Sequence, residues 1–239
     1  MATPDISVVI PAYNEQESVA DCVREVRGVL MQIGRTFEII VVDDGSTDGT
    51  LNVIRDVKAT VPELRAIGFQ RNCGQTAALD AGFREARGAI VVTLDADLQN
   101  DPADIPSLLE KLGEWDAVCG VRTKRADTLV RRLSSRVANA VRNRLTGEDI
   151  TDTGCSLKAY RREFLIRLKL FEGMHRFLPT LLRLAGARVT ETPVNHRPRV
   201  RGKTKYGIRN RVFKGLGDLL AVRWMQRRWL RYKIKEEIK

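Results

Sequence analysis

Ala89-Ile90-Val91-Val92-Thr93-Leu94-Asp95-Ala96-Asp97-Leu98-Gln99 decides the fold. A short uncharged run rich in Ile and Val is the pattern of a strand buried on both faces. Such a strand cannot hold two unpaired carboxylates, so Asp95 and Asp97 must fall where it emerges. Two carboxylates one residue apart at a strand tip suit a divalent cation. Mg2+ and Mn2+ take oxygen ligands, and one or two carboxylates plus substrate phosphates is their usual set. Gln99 offers an amide oxygen two residues on. The plainer alternative is that Asp-x-Asp only opens a turn, which Asp101-Pro102 also suits.

Working outward, the same strand-then-polar pattern recurs. Ile6–Ile10 is a predicted strand stopped by Pro11, followed by Tyr13-Asn14-Glu15 and a helix from about Glu15 to Ile33. A second buried strand over 37–42 ends in Asp43-Asp44, and a helix follows from about Asp48 to Ala59. Leu64 to Phe69 is a third strand and Gln75 to Ala86 a helix. Alternating strands and helices imply an α/β fold: a mostly parallel central sheet with helices on both faces. Ligands in such sheets bind beyond the carboxyl ends of the strands. That rule brings Tyr13-Asn14-Glu15, Asp43-Asp44 and Asp95-Ala96-Asp97 to one edge. Neither a G-x-G-x-x-G after the first strand nor a P-loop lysine motif is present, which disfavours a dinucleotide dehydrogenase and a P-loop NTPase.

Beyond residue 100 the pattern predicts a strand over 115–121 and a basic helix over 126–145. A loop around Asp152-Thr153-Gly154 spans 151–160. Helices are expected over 164–170 and 176–184, a strand over 187–193, a basic loop over 197–207 and a long helical stretch from about Ile208 to Lys239. The formal net charge is +11. The first hundred residues are net acidic and the rest strongly basic, so the second half should face an anionic partner. The cysteines, Cys22, Cys73, Cys119 and Cys155, show no C-x-x-C spacing, which fits a reducing compartment rather than zinc or a disulfide framework. No leader is expected, because Met1–Asp5 runs straight into a strand, and no uncharged run is long enough for a transmembrane helix.

Val9-Ile10-Pro11-Ala12-Tyr13-Asn14-Glu15, the stretch Val42-Asp43-Asp44-Gly45-Ser46-Thr47-Asp48-Gly49-Thr50, and Asp95-Ala96-Asp97-Leu98-Gln99 resemble the signatures of family 2 glycosyltransferases of the GT-A, Rossmann-like, nucleotide-diphospho-sugar transferase fold. Asp152-Thr153-Gly154, Leu157-Lys158-Ala159-Tyr160-Arg161-Arg162, Met174-His175-Arg176-Phe177-Leu178-Pro179 and Gly202-Lys203-Thr204-Lys205-Tyr206-Gly207 narrow the resemblance. They are similar to polyprenyl-phosphate glycosyltransferases, the dolichol-phosphate mannose synthase group and its bacterial undecaprenyl-phosphate relatives. The match runs to about residue 222.

The resemblance implies that Pro11, Tyr13, Glu15, Val42 and Asp44 line the nucleoside pocket, with Asp44 accepting hydrogen bonds from base or ribose. It implies that Asp95, Ala96, Asp97 and Gln99 hold Mg2+ or Mn2+ and the donor diphosphate. Arg122, Arg199 and Lys205 would meet phosphates, and Arg132, Arg136, Arg199 and Lys205 are the candidates for the acceptor phosphate. Arg122 has no acidic partner near it in the sequence. Two departures stand out. Family members often have Glu-Met-His-Arg-Phe where this chain has Glu172-Gly173-Met174-His175-Arg176, and many relatives continue into membrane spans.

The expected activity is metal-dependent transfer, with inversion, of a sugar from GDP-mannose or a UDP-sugar to a dolichyl or undecaprenyl phosphate. The expected place is the cytoplasmic side of an anionic cell membrane, as a peripheral protein. Residues 1–207 would form the catalytic domain, divided at 121/122 into a nucleotide-sugar half and an acceptor half, and 208–239 a basic amphipathic helical tail. A homo-oligomer is compatible with the sequence. The alternatives are a family 2 transferase with a non-lipid acceptor and, less favoured, a nucleic-acid-binding module, whose phosphate backbone the three acidic strand tips would repel. Plainer roles compete at single residues: His175 as a packing or capping residue, Asp152 as a helix cap, and Gln226-Arg227-Arg228-Trp229 as a false echo of a polysaccharide-synthase motif.

Overall fold

The computed structural model describes residues 3–123, 143–144, 146–147, 149–198, 208–230 and 235–236, with backbone alone for 208–214. Seven strands form one sheet in the order β3-β2-β1-β4-β6-β5-β7. They are β1 (Ile6–Ala12), β2 (Phe37–Asp43), β3 (Leu64–Gly68), β4 (Ile90–Thr93), β5 (Ala117–Arg122), β6 (Lys158–Arg161) and β7 (Val189–Val194). Neighbours are parallel except at β6, which runs antiparallel to both β4 and β5. The helices are α1 (Val19–Ile33), α2 (Thr50–Lys58), α3 (Gln75–Glu85), α4 (Ile105–Lys111), α5 (Arg162–Leu165), α6 (Leu178–Leu184) and α7 (Ile208–Arg228).

Alternate strand residues point to opposite faces, and two cores result. Val8, Ile10, Ile39 and Val41 pack with Val23, Val26 and Leu30 of α1, Ile54 of α2 and Leu108 of α4. Val9, Ile40 and Val42 pack on the other face with Leu79 and Phe83 of α3, Leu181 of α6 and Val222 of α7. Each fully buried aliphatic side chain stabilises the fold by about 1.5–3 kcal/mol. The amino end of the sheet is pinned by the buried Glu38. Its carboxylate accepts from Ser7 Oγ (2.7 Å), Arg65 Nη1 (2.9 Å) and Arg87 Nη2 (2.8 Å). Burial alone would raise its pKa, but the bonds from Arg87, Ser7 and Arg65 outweigh burial and hold it below its ordinary value.

The structure departs from the sequence expectations in several places. β1 continues through Pro11, which pairs in register with Val42. Ala12 O accepts from Asp44 N on the β2 side, so the nitrogen of Pro11 faces the β4 side. There β4 has already ended at Thr93, opposite Val9, and no ladder bond is lost. α1 starts at Val19 rather than near Glu15: residues 16–18 form a turn, in which Ser18 N and Val19 N both donate to Glu15 O. β6 lies where a loop was expected. α5 is four residues long, in place of a helix over 164–170. A 3-10 turn, Met174–Phe177, precedes α6. The C-terminal helix ends at Arg228 and its apolar residues are spread around it. Leu219 and Val222 point inward, while Leu216, Leu220 and Trp224 are exposed, so it lacks the single apolar stripe expected. Most of the expected helix over 126–145 lies outside the described residues.

Candidate active site

Strand order reverses at β1: β2 and β3 lie to one side of it and β4 to the other. At such a switch point the loops leaving the strands diverge and open a crevice. The loops after β1 and β2 are tied together there. Asn14 N donates to Ser46 Oγ (2.8 Å), Thr47 N to Asn14 Oδ1 (2.8 Å), and Glu15 N to Thr50 Oγ1 (2.8 Å). Asp43 binds Ser46 within its own loop. Gly45, at φ 64°, lies so close to the Arg71 backbone that a Cβ would come within 2.2 Å of the Arg71 carbonyl carbon.

Asp44 is buried, and its carboxylate receives Cys73 N (2.7 Å), Gly74 N (2.9 Å) and Asn72 Nδ2 (2.9 Å). With Gly74 N also 3.2 Å from the other oxygen, three donors of the loop that leads into α3 meet its roughly four acceptor sites. Asp44 thus anchors that loop. Val42 and Ala96 turn their side chains into the two cores, leaving only backbone for a ligand. Tyr13 and Glu15 stand partly buried at the crevice, and Pro11 is partly buried at the end of β1.

β4 ends at Thr93, and both carboxylates lie beyond it, as the sequence requires. They are less exposed than a strand tip suggests: Asp95 is partly buried and Asp97 is 9% exposed. Burial, and then the neighbouring Asp97, push the Asp95 carboxyl up to about 6. Gln75 Nε2, from the first residue of α3, donates to Asp95 Oδ1 (2.9 Å). Asp97 Oδ1 accepts from Gln99 N (3.2 Å). Leu98 between them sits at φ 61°, a region that costs a non-glycine residue of order 1–3 kcal/mol and persists where surroundings impose it. Here the surroundings are the bond from Arg197 N to Gln99 O (2.8 Å) and the bridge between Asn100 and His196. The Gln99 amide nitrogen lies 3.4 Å from His196 Nε2.

A cavity of about 180 Å3 opens beside Asp95. Gln75, Ser156, Lys158, His175 and Arg176 bring polar groups to it, with Leu79 and Tyr160 at its apolar wall. Lys158 comes from β6, whose antiparallel register places it opposite Thr93 and Cys119. His175 Nδ1 is 2.7 Å from Thr76 Oγ1, which also accepts from Gly173 N (3.1 Å). The sequence placed Lys158, His175 and Arg176 in motifs and gave Gln75 no role. No local pattern marks Gln75, because the start of α3 meets Asp95 only through the folding of the chain.

Arg122 closes β5, and its guanidinium grips Asp152 in parallel bonds, Nε to Oδ2 and Nη2 to Oδ1, both 2.8 Å. Both side chains are largely buried, at 18% and 6% exposed. No acidic partner lies near Arg122 in the sequence, and the one the fold supplies is thirty residues away. Arg132, Arg136, Arg199 and Lys205 lie outside the described residues.

The donor atoms of Asp95 and Asp97 are all oxygen, which fits Mg2+ or Mn2+. Two close carboxylates, one with its acidity suppressed by burial and its neighbour, are what a cation relieves. Among the described residues no third His, Cys, Asp or Glu completes a protein-only cluster. Remaining ligands would have to come from Gln99, water or a bound phosphate.

A family model described as glycosyl transferase family 2 matches residues 7–169. Dodecaprenyl-phosphate galacturonate synthase of Rhizobium johnstonii is 41% identical over 237 residues, covering 97% of this chain and 69% of that protein. Undecaprenyl-phosphate 4-deoxy-4-formamido-L-arabinose transferase of Pseudomonas fluorescens is 41% identical over 219 residues, covering 90% of this chain and 64% of that protein. The chain thus spans about two thirds of the length of these relatives. A mannosyltransferase from Pyrobaculum calidifontis, solved with GDP-Man and Mn2+, superposes with a TM-score of 0.67 at 25% identity, over 92% of this chain and 64% of that one. Glucosyl-3-phosphoglycerate synthase from Mycobacterium tuberculosis, solved with Mn2+ and UDP-Glc, shares the fold (TM-score 0.65, 21% identity, 94% of this chain and 79% of that one).

Proposed function

The chain belongs to glycosyl transferase family 2, and from that membership we propose that it moves a sugar from a nucleotide-diphosphate sugar to a polyprenyl phosphate, inverting the anomeric carbon. The observation that carries this reading is the cavity at the end of β4 that Asp95, with Asp97 beside it, shares with Lys158, His175 and Arg176. The names of the prenyl-phosphate relatives support the acceptor class, and the mannosyltransferase solved with GDP-Man and Mn2+ supports the donor class.

Asp95 and Asp97 would hold Mg2+ or Mn2+, which supplies charge neutralisation for the departing nucleoside diphosphate. Gln75 fixes one oxygen of Asp95 and so orients the other. An oxygen of the acceptor phosphate attacks the anomeric carbon, and the bond from that carbon to the diphosphate oxygen breaks. The attacking oxygen is already anionic near neutral pH, so no strong general base is needed. The obstacle is bringing two anions together, and the cationic groups of Lys158 and Arg176 offset that repulsion. Arg122, locked by Asp152, holds the floor of the site in shape. The acceptor's hydrocarbon tail puts the reaction at an anionic membrane surface, on its cytoplasmic side. Among the described residues no helix is long and apolar enough to cross a membrane.

The test is a thermal-shift screen of GDP- and UDP-sugars with Mn2+, followed by transfer to polyprenyl monophosphate. One donor class should raise the Tm in Mn2+ and not in chelator, and should glycosylate the lipid. Transfer to a water-soluble acceptor alone would establish the non-lipid alternative, and no metal-dependent donor binding would overturn the reading.

A further inference from the structure

Of the seven large apolar side chains exposed among the described residues, six come from two segments far apart in sequence. Ile166 and Phe171 belong to the stretch after α5, and Leu216, Leu220, Trp224 and Leu230 to α7 and the residues just beyond it. The two segments face each other across an apolar groove of about 620 Å3, lined by Leu168, Phe171, Met174, Trp224, Met225 and Trp229. Phe171 is 59% exposed and Trp224 64%, so the groove's lips project into solvent. Its charged lining is mixed, Arg167 and Lys169 with Glu172 and Asp218, and α7 carries Arg223, Arg227 and Arg228 next to Trp224 and Trp229 in the sequence. Contiguous apolar surface with a polar rim marks an interaction site.

We infer that this two-segment face, and not α7 alone, docks the protein on a lipid bilayer carrying anionic headgroups. The inference rests on the proposed lipid acceptor and adds the surface that meets the membrane. Two observations select the occupant. Trp and Leu beside Arg and Lys is the composition of an interfacial surface, the five cations Arg167, Lys169, Arg223, Arg227 and Arg228 outnumbering Glu172 and Asp218 in the two segments: the rings and aliphatic chains enter the headgroup boundary and the cations meet lipid phosphates. The geometry also suits delivery of the acceptor. Met174 in the groove wall belongs to the same 3-10 turn as His175 and Arg176 of the catalytic cavity. A bilayer against the groove therefore lies one short turn from the site that would receive the lipid's phosphate.

The experiment is flotation of the full chain with vesicles of phosphatidylcholine alone or with phosphatidylglycerol, comparing the parent with Phe171→Glu, Trp224→Glu and, as control, Met31→Glu on exposed α1 surface. Mn2+-dependent binding of a nucleoside diphosphate is measured on each to show that the fold is intact. The parent and Met31→Glu should float with anionic vesicles and come off in high salt. Phe171→Glu and Trp224→Glu should each lower the bound fraction by about tenfold, since a carboxylate then replaces an inserted ring. Equal flotation of all four proteins, or loss in Trp224→Glu alone, overturns the two-segment face. Concentration-dependent dimerisation of the parent, abolished by both groove variants without vesicles, overturns the bilayer in favour of a second copy. Transfer to a short-chain, water-soluble prenyl phosphate is assayed in parallel. Its persistence without flotation sinks the docking face and leaves the activity standing, and flotation without transfer does the reverse.

Discussion

Replacing Asp97 with Asn should make the metal-stripped protein more stable and the loaded protein inactive. Asn keeps the size of the side chain and an Oδ1 to accept from Gln99 N, so the loop through Leu98 retains its bond. The charge is what changes. Burial first, and Asp97 second, raise the Asp95 carboxyl from 3.8 to about 6. At 1.36 kcal/mol per pKa unit this is about 3 kcal/mol of strain when Asp95 is ionised. Only the part due to Asp97 is relieved, so the gain should be about 1 kcal/mol. The sign follows from linkage. A carboxyl with a raised folded-state pKa contributes most favourably below pH 4, and that contribution is lost as pH rises through about 6. In chelator the parent should therefore lose stability between pH 4 and 6, and Asp97→Asn should lose less. Urea unfolding at pH 5 and 7.5 measures both curves. At pH 7.5 with Mn2+ and the cognate nucleoside diphosphate, the parent's Tm should rise and the variant's should not. A variant less stable than the parent in chelator at pH 7.5, or one stabilised by Mn2+ and nucleotide as much as the parent, refutes the argument.

Gln75→Ala should weaken Mn2+ binding in the presence of nucleoside diphosphate by about tenfold, as loss of a residue orienting a metal ligand does; electron paramagnetic resonance of free Mn2+ reads this without turnover, and an unchanged affinity would remove Gln75 from the site. Asp152→Ala should destabilise the protein by about 3 kcal/mol, because it removes the carboxylate that the largely buried Arg122 guanidinium grips with two bonds. Denaturant unfolding of the double variant with Arg122→Met should show much of that loss restored, and purely additive losses would argue against a coupled pair. Gly173→Ala should cost about 1–3 kcal/mol, since φ there is 85° and a Cβ would approach Asp218 Oδ2 to 2.4 Å; a melting temperature equal to the parent's would show that α7 does not press on this turn.

The sequence by itself determined the alternation of strands and helices, and with it the sheet edge to which three acidic strand ends converge. Those features are local: Ile-Val runs and helical stripes of Val and Leu announce themselves within a dozen residues, and a parallel sheet fixes which ends meet. Asp95 and Asp97 were legible for the same reason, since a buried run cannot keep charges and must release them at its end. Tertiary structure alone decided the rest. Lys158-Ala159-Tyr160-Arg161 has no strand signature, and becomes β6 only because β4 and β5 pair with it from either side. Asp44 carries the same charge as Asp95, yet the backbone amides of Cys73 and Gly74 donate to it and make it an anchor for the loop before α3. Arg122 looked solitary until the loop bearing Asp152 folded back onto it. Phe171 and Trp224 become two lips of one groove when α7 crosses the turn after α5. Periodicity records which face of an element is apolar, whereas partners across a sheet or between loops depend on long-range closure, which leaves no trace in neighbouring residues.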